Sequence, residues 1–288
     1  MSSEPSGGPS AKGTDDNKSR PRDLIKRGVY KSNPLGTATF VGLRALDPFL
    51  QYQILARGLG TGLLSKLGLA TIPVTATAFI PTGNALLDGL GLPLPRLILL
   101  AMAAGSAAKH IFWLTYTCRE EFPPGAAVAV SGYNTFVNSA NSLLLITAAT
   151  TSALAAGPDV PVPFTGCAVS LPVAIGTVLY VAGIAVETVS ELQRKRFKEQ
   201  PGNEGRVCSD GLWGFSRHVN YAAYAVWRTG YTLAAGGWPA ALVMGAFQVW
   251  DFSSRSVAVM DEYMGSKYGE QWKKYKADVP WVMFPGLY

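Results

Sequence analysis

The sequence predicts an all-α fold, a polytopic bundle of membrane helices. Three observations predict it. Of 288 residues, 48% are hydrophobic and only 15% charged, against about 25% charged in ordinary soluble domains. The charges are uneven, gathered at the N-terminus, at 187–210 and at 251–278, while the chain between Ala38 and Val186 is mostly apolar or small. Several apolar stretches then reach the ~20 residues that a hydrocarbon core demands of one helix.

In chain order, residues 1–22 are polar, rich in Ser, Gly and Pro, and carry no apolar period, which reads as a disordered cytosolic tail. No apolar region follows Met1, so a cleaved signal peptide is not expected. Residues 39–58 hold charges and read as an amphipathic or re-entrant helix at the membrane interface. Candidate spans lie near 68–90, 96–117, 126–156, 168–189, 219–235 and 238–253, five to seven in all. The first is weak, broken by Pro81 and Asn84, and 126–156 is long for one span. The last two meet at Gly236–Pro239, too short a link for anything but a tight helical hairpin.

Basic residues mark the cytosolic side. Lys18, Arg20, Arg22, Lys26, Arg27 and Lys31, the 194–206 loop, and Lys267, Lys273, Lys274 and Lys276 all belong there, so both termini are expected in the cytosol. The links around 86–95 and 157–166 carry almost no positive charge and face the other side. The net charge of +6 flanks apolar segments and forms no soluble patch, so nucleic acid is not an expected partner. Cys118, Cys167 and Cys208 lack metal-ligand spacing and form no disulfide framework. The chain contains no GxGxxG after a strand, no Walker loop and no HExxH, so a Rossmann domain, a P-loop NTPase and a zincin are unsupported, and no metal site is expected.

Polar groups within the spans need a reason. Lys109 and His110 either snorkel to the headgroups or line a cavity. Asn134, Asn138 and Asn141 share one helical face and read as interhelical glue or as a polar lining. One stripe runs Glu187, Glu191, Arg194, Lys198. It reads as a solvated helix end with i, i+4 pairs or as an anion site, since guanidinium and ammonium both suit phosphate. His218, with Arg217 and Asn220, adds donors at the mouth of the next span.

Three blocks from Glu187 onward carry a resemblance: ELQRKRFK, then GLWGFSRHVNY, then DEYMGSKYGEQWKKYKADVPWVMFPGLY at the C-terminus. About a third of the chain thereby resembles the sterol-reductase and steroid 5-alpha-reductase superfamily with its DUF1295 members. More distantly, it resembles the isoprenylcysteine carboxyl methyltransferases. The resemblance implies a cytosol-facing pocket for NADPH. By position, Arg194 and Lys198, with Glu191 beside them, meet the cofactor phosphates. Trp213, Arg217, His218, Asn220 and Tyr221 wrap the cofactor, and Arg255 stands in for a further basic contact. Asp261 with Glu262, Tyr221, Tyr224 or His218 supplies the proton, and Tyr268, Trp272 and Tyr275 hold the tail. The family's acid after R-H-x-N-Y is absent, replaced by Ala222, Ala223 and Tyr224.

The resemblance implies an NADPH-dependent reductase of a C=C bond in a lipophilic, sterol-like substrate, in a membrane of endoplasmic-reticulum type. The alternatives are a methyltransferase with S-adenosylmethionine in the same pocket, or a scaffold with a relic pocket. The expected division is a tail at 1–22, N-terminal membrane helices at 23–186 and a reductase-like domain at 187–288. The lipid bilayer and a lipophilic small molecule are the expected partners.

Overall fold

The structure is a computed structural model that describes residues 28–77, 79, 84–163 and 167–288. The polar tail, the basic residues before Gly28 and Pro81 lie outside them. The architecture is a mostly all-α polytopic bundle. Its elements are α1 (Pro34–Arg57), α2 (Thr61–Lys66), α3 (Ala85–Asp88), α4 (Leu94–Phe112), α5 (Pro124–Ile146), α6 (Leu171–Glu199), α7 (Val219–Asp251), α8 (Val257–Tyr268) and α9 (Glu270–Asp278). A short antiparallel hairpin, β1 (Asp159–Val162) and β2 (Cys167–Ser170), pairs Asp159 with Ser170 and caps the approach to α6.

Proline sets the starts. Pro34, Pro95, Pro124 and Pro172 occupy the first turns of α1, α4, α5 and α6, where the missing N–H has no intrahelical partner to lose. Asn33 caps α1 by accepting the Gly36 N–H at 2.9 Å, and Gly58 ends the helix at φ +74°. Among the described residues, three helical segments are long and apolar enough to cross a membrane: Leu94–Thr117, Leu171–Glu199 and Val219–Tyr268. The last is a hairpin. At Gly237 the backbone leaves helical geometry (φ +70°, ψ −168°), and the second arm returns beside the first, bringing Phe252 against Tyr221 and Tyr224.

Two expectations are corrected. Residues 39–58 do not lie at the interface. They belong to α1, a 24-residue helix packed lengthwise against α5 and α4, with Arg44, Asp47 and Gln51 fully buried. The interface reading failed because the charges were assigned to water, whereas they bond to other helices. Nor do residues 68–90 form a span. Among the described residues there, only a 3-10 turn at Val74–Ala76 and the single turn of α3 are regular. Ala70 to Ile72 bond to the end of α5, where Thr71 bridges Thr147.

α6 and the first arm of α7 form the tightest pair. A Cβ built on Gly183 would stand 2.7 Å from the Trp227 nitrogen, and one on Gly176 would stand 2.5 Å from the Gly230 carbonyl oxygen. Small residues permit this close approach, and dispersion between the backbones holds it. The central apolar core lies alongside, with Leu55, Leu99, Leu145, Trp227 and Tyr231 buried together.

The basic segments gather at one end. Lys267 reaches Tyr30, the Gly28 N–H donates to Glu120, and Lys198 donates to Tyr268. The β-hairpin and the Gly237 turn occupy the opposite end. Gly183→Val should overpack the α6–α7 contact and destabilise the fold by about 1–3 kcal/mol, read as a lower melting midpoint in detergent. An unchanged midpoint would refute that contact.

Candidate functional site

At the basic end, the last turns of α6, the 203–218 loop and the C-terminal tail meet, and this meeting place is the mouth of the candidate site. Trp213 Nε1 donates to the Ser190 carbonyl at 2.8 Å, and Tyr275 donates its hydroxyl proton to the Trp213 carbonyl at 2.6 Å. The tail then docks by backbone bonds, Arg217 N–H to Trp281 O at 3.0 Å and His218 N–H to Val282 O at 2.9 Å. The Arg217 side chain donates to the carbonyls of Val279 and Pro280 at 2.7 and 2.9 Å. The VPWVMFPGLY ending is thereby fastened across SRHVNY.

The cations of this mouth are unequally satisfied. Lys198 donates to the Arg206 carbonyl and to Tyr268, while Lys195 pairs with Glu199. Arg194 lies over the Trp213 ring at 5.1 Å and meets no carboxylate within contact distance among the described residues. Arg217 Nε and Ser216 Oγ are buried without hydrogen-bond partners. Unspent donors on and beside guanidinium groups are what an anion would satisfy, so the residues present fit a phosphate-bearing cofactor.

From the mouth a series of rings leads inward. His218 stacks on Tyr221 with centroids 5.1 Å apart, and Tyr221 stacks on Phe252 at 4.8 Å. Phe252 meets Tyr224 edge-on at 5.4 Å, and Tyr224 meets Trp227 at 4.8 Å. Burial, reinforced by the Arg217 and Arg194 charges against the opposing pull of Asp261, lowers the His218 pKa to about 4, so the imidazole is neutral at pH 7.

Below the rings lies a polar core, of whose charged members Arg44, Asp47 and Arg228 were not singled out in the sequence. Arg228 has no exposed surface. It donates to Tyr224 Oη at 3.0 Å, to Asn138 Oδ1 at 3.0 Å and to Asn134 Oδ1. Asn138 Nδ2 donates to Asp47 at 2.6 Å, and Asp47 pairs with Arg44 at 3.3 Å. A second group joins Lys109 to Glu187 and, at 3.5 Å, to Glu191. Trp227 Nε1 donates to the other Glu187 oxygen at 2.7 Å. Lys109 therefore does not snorkel; its charge is met inside the bundle. The available signal was the i, i+3, i+7 spacing of Arg44, Asp47 and Gln51, and an arginine within an apolar span.

The structure brings Arg194, Trp213, Arg217, His218 and Tyr221 to the mouth, with Asn220 half-buried beside them. Glu191 is drawn inward to Lys109. Tyr224 joins the rings to the core. Asp261 lies at the base of the tail, bonded to Trp272 Nε1 at 2.7 Å and to Lys276 at 3.0 Å, with Glu262 exposed next to it. Arg255 is an outward-facing residue that holds Asp251 through two bonds, at 2.8 and 2.6 Å.

Fold and site together define an integral membrane helix bundle with a basic mouth above a buried ionic core. The chain belongs to the DUF1295 family, described as a protein of unknown function, which matches residues 126–279 and so begins well upstream of the motif blocks. A probable O-methyltransferase, ustE, of Ustilaginoidea virens is 37% identical over 84% of this chain and 82% of its own. The Delta(14)-sterol reductase of Neurospora crassa is 27% identical over 40% of this chain and 33% of its own length. The protein-S-isoprenylcysteine O-methyltransferase of Schizosaccharomyces pombe is 25% identical over 26% of this chain and 31% of its own. The chain thus spans about a third of the last two.

Lys109→Met should cost about 3–5 kcal/mol, because Glu187 and Glu191 then stay buried without their cation, and Glu187→Leu should cost less, because Lys109 keeps Glu191. The double change Lys109→Met with Glu187→Leu should recover part of that loss. Singles and double of equal midpoint would refute the pairing. The depressed His218 pKa has a definite sign. The unfolded chain takes up a proton near pH 6.5, whereas the fold refuses it until about pH 4. Its contribution is therefore complete above pH 6.5 and is lost as the pH falls towards 4. His218→Asn should flatten the pH dependence of thermal melts in that window; an unaltered slope would assign it to other groups.

Proposed function

We propose that the protein is a membrane-embedded, NADPH-dependent reductase of a C=C bond in a lipophilic, sterol-like substrate. The observation that carries this reading is the set of unspent cationic donors at the mouth: Arg194 without a carboxylate and Arg217 Nε without an acceptor. A 2′-phosphate and pyrophosphate call for that charge, whereas S-adenosylmethionine is near neutral or positive. The sterol-reductase relative, matched over part of its length, supports it further.

On this reading Arg194, Lys198 and Arg217 hold the phosphates, and Trp213, His218, Asn220 and Tyr221 pack about the rest of the cofactor. NADPH, when bound, supplies a hydride to one alkene carbon. Tyr224 protonates the other. Arg228 Nε already donates to the Tyr224 oxygen, so the phenolic proton is free to be given elsewhere, and the guanidinium stabilises the phenolate left behind. Asp261 acts at a remove, through Trp272 and Lys276, to position the tail, and Glu191 and Arg255 support the mouth without touching the phosphates. Residues 187–288 carry the cofactor half and 23–186 the substrate half around one shared core. The basic end faces the cytosol, both termini included, in the endoplasmic reticulum.

One comparison favours a second reading. The relative that matches most of both chains is named a probable O-methyltransferase, and the same mouth would then hold S-adenosylmethionine. Thermal shift of the purified chain with each ligand separates the two. NADPH should raise the midpoint, and Arg194→Ala should weaken that response at least tenfold, the effect of losing a hydrogen bond to a charged group. A response to S-adenosylmethionine alone would establish the methyltransferase; a response to neither would leave a relic pocket.

A further inference from the structure

A second cavity lies at the other end of the bundle, one α7 arm or roughly 25 Å from His218 at 1.5 Å per helical residue. Its volume is about 750 Å³, within the 300–1,000 Å³ range of small-molecule sites. Leu144 of α5, the 149–155 loop, Pro172 of α6 and the Gly237 turn with Trp238 and Phe247 wall it. The Gly237 turn creates the space. Because φ there is +70°, the second arm leaves at an angle the helix could not take, and nothing lies within 4 Å of a Cβ built on Gly237. Ser152 secures the loop by donating to the Ala234 carbonyl, and Ser170 donates to Ser152 O at 2.6 Å. The wall is therefore fastened to both α6 and α7.

Within this apolar lining one polar side chain is unspent. Asn141 is 1% exposed. Its Oδ1 accepts from Thr232 at 3.0 Å, but its amide nitrogen, buried, donates to nothing. Asn134 and Asn138, on the same helical face, spend their amides on a carbonyl and on Asp47. Asn141 is the member of the three that faces a cavity.

We propose that this cavity binds a lipophilic single-chain or fused-ring molecule bearing one hydrogen-bond-accepting oxygen, which takes its bond from Asn141. Among the described residues no charged side chain lines the cavity, so an ionised headgroup would find no counter-charge from them. The site is independent of the proposed reaction, since none of the mouth residues line it.

The test uses the full chain in lipid nanodiscs with two photoreactive probes of equal length, a long-chain methyl ketone and the corresponding alkane. The ketone should label peptides from 140–155 and 236–247 at about fivefold lower concentration than the alkane, the margin one neutral hydrogen bond supports. Ala155→Phe, on the loop, should fill the cavity and reduce labelling by both probes at least tenfold. Asn141→Leu should erase the ketone's advantage, and the other two results decide the matter even should that variant not fold. Equal labelling by ketone and alkane in the parent chain would overturn the proposal, as would labelling that survives Ala155→Phe. A ketone advantage seen only in discs of diether phospholipid would overturn it too, because the occupant would then be the bilayer's own ester carbonyl.

Discussion

Arg228 sits within the first arm of α7, without exposed surface, in the middle of a segment that otherwise reads as apolar. An unmet guanidinium there would be costly in lipid, and its three acceptors come from two helices: Tyr224 on its own helix, and Asn134 and Asn138 on α5. Asn138 passes the connection to Asp47 on α1, which also carries Arg44. Polar bonding thus dictates which helix stands beside which, a task that apolar surfaces perform poorly where the surrounding lipid is equally apolar. The Lys109–Glu187–Glu191 group does the same between α4 and α6. Together they hold three cations and three carboxyl groups in the interior.

Everything at the basic end is built on that frame. Glu187 takes the Trp227 indole hydrogen and the Lys109 ammonium at once, and Gly183 lets α6 lie close enough to α7 for both. The rings from His218 to Trp227 fill the seam above. The tail closes it through backbone bonds to Arg217 and His218. The basic end and the buried core share a residue. Tyr224 contacts both the rings and Arg228, whereas Asp261 is held at the tail by Trp272 and Lys276.

Much of this was legible beforehand. Hydropathy located α4, α6 and the α7 hairpin, because each must present about twenty apolar residues to lipid whatever its neighbours do. The Gly236–Pro239 link read correctly as a hairpin turn. The three motif blocks pointed to Arg194, Trp213, Arg217 and His218, which do converge. Two segments misled. Within 68–90 the residues Ala70 to Ile72 bond to the end of α5, and the charges of 39–58 are met inside the bundle, Arg44 by Asp47 on the same helix and Asp47 by Asn138 on α5.

By itself, the sequence determined the class of the protein, the family, the places of the three most apolar helices and the concentration of basic charge beside particular ones, since these follow from local composition and short spacing; it overcounted the spans, five to seven against three among the described residues. Only the tertiary structure decided which charges are paired and which are left over. Lys109 found Glu187, seventy-eight positions away, and Arg228 found Asn138, ninety positions away. Arg194 found an indole face and, among the described residues, no carboxylate within salt-bridge distance. Such pairing depends on distances between helices, and no spacing along the chain encodes them.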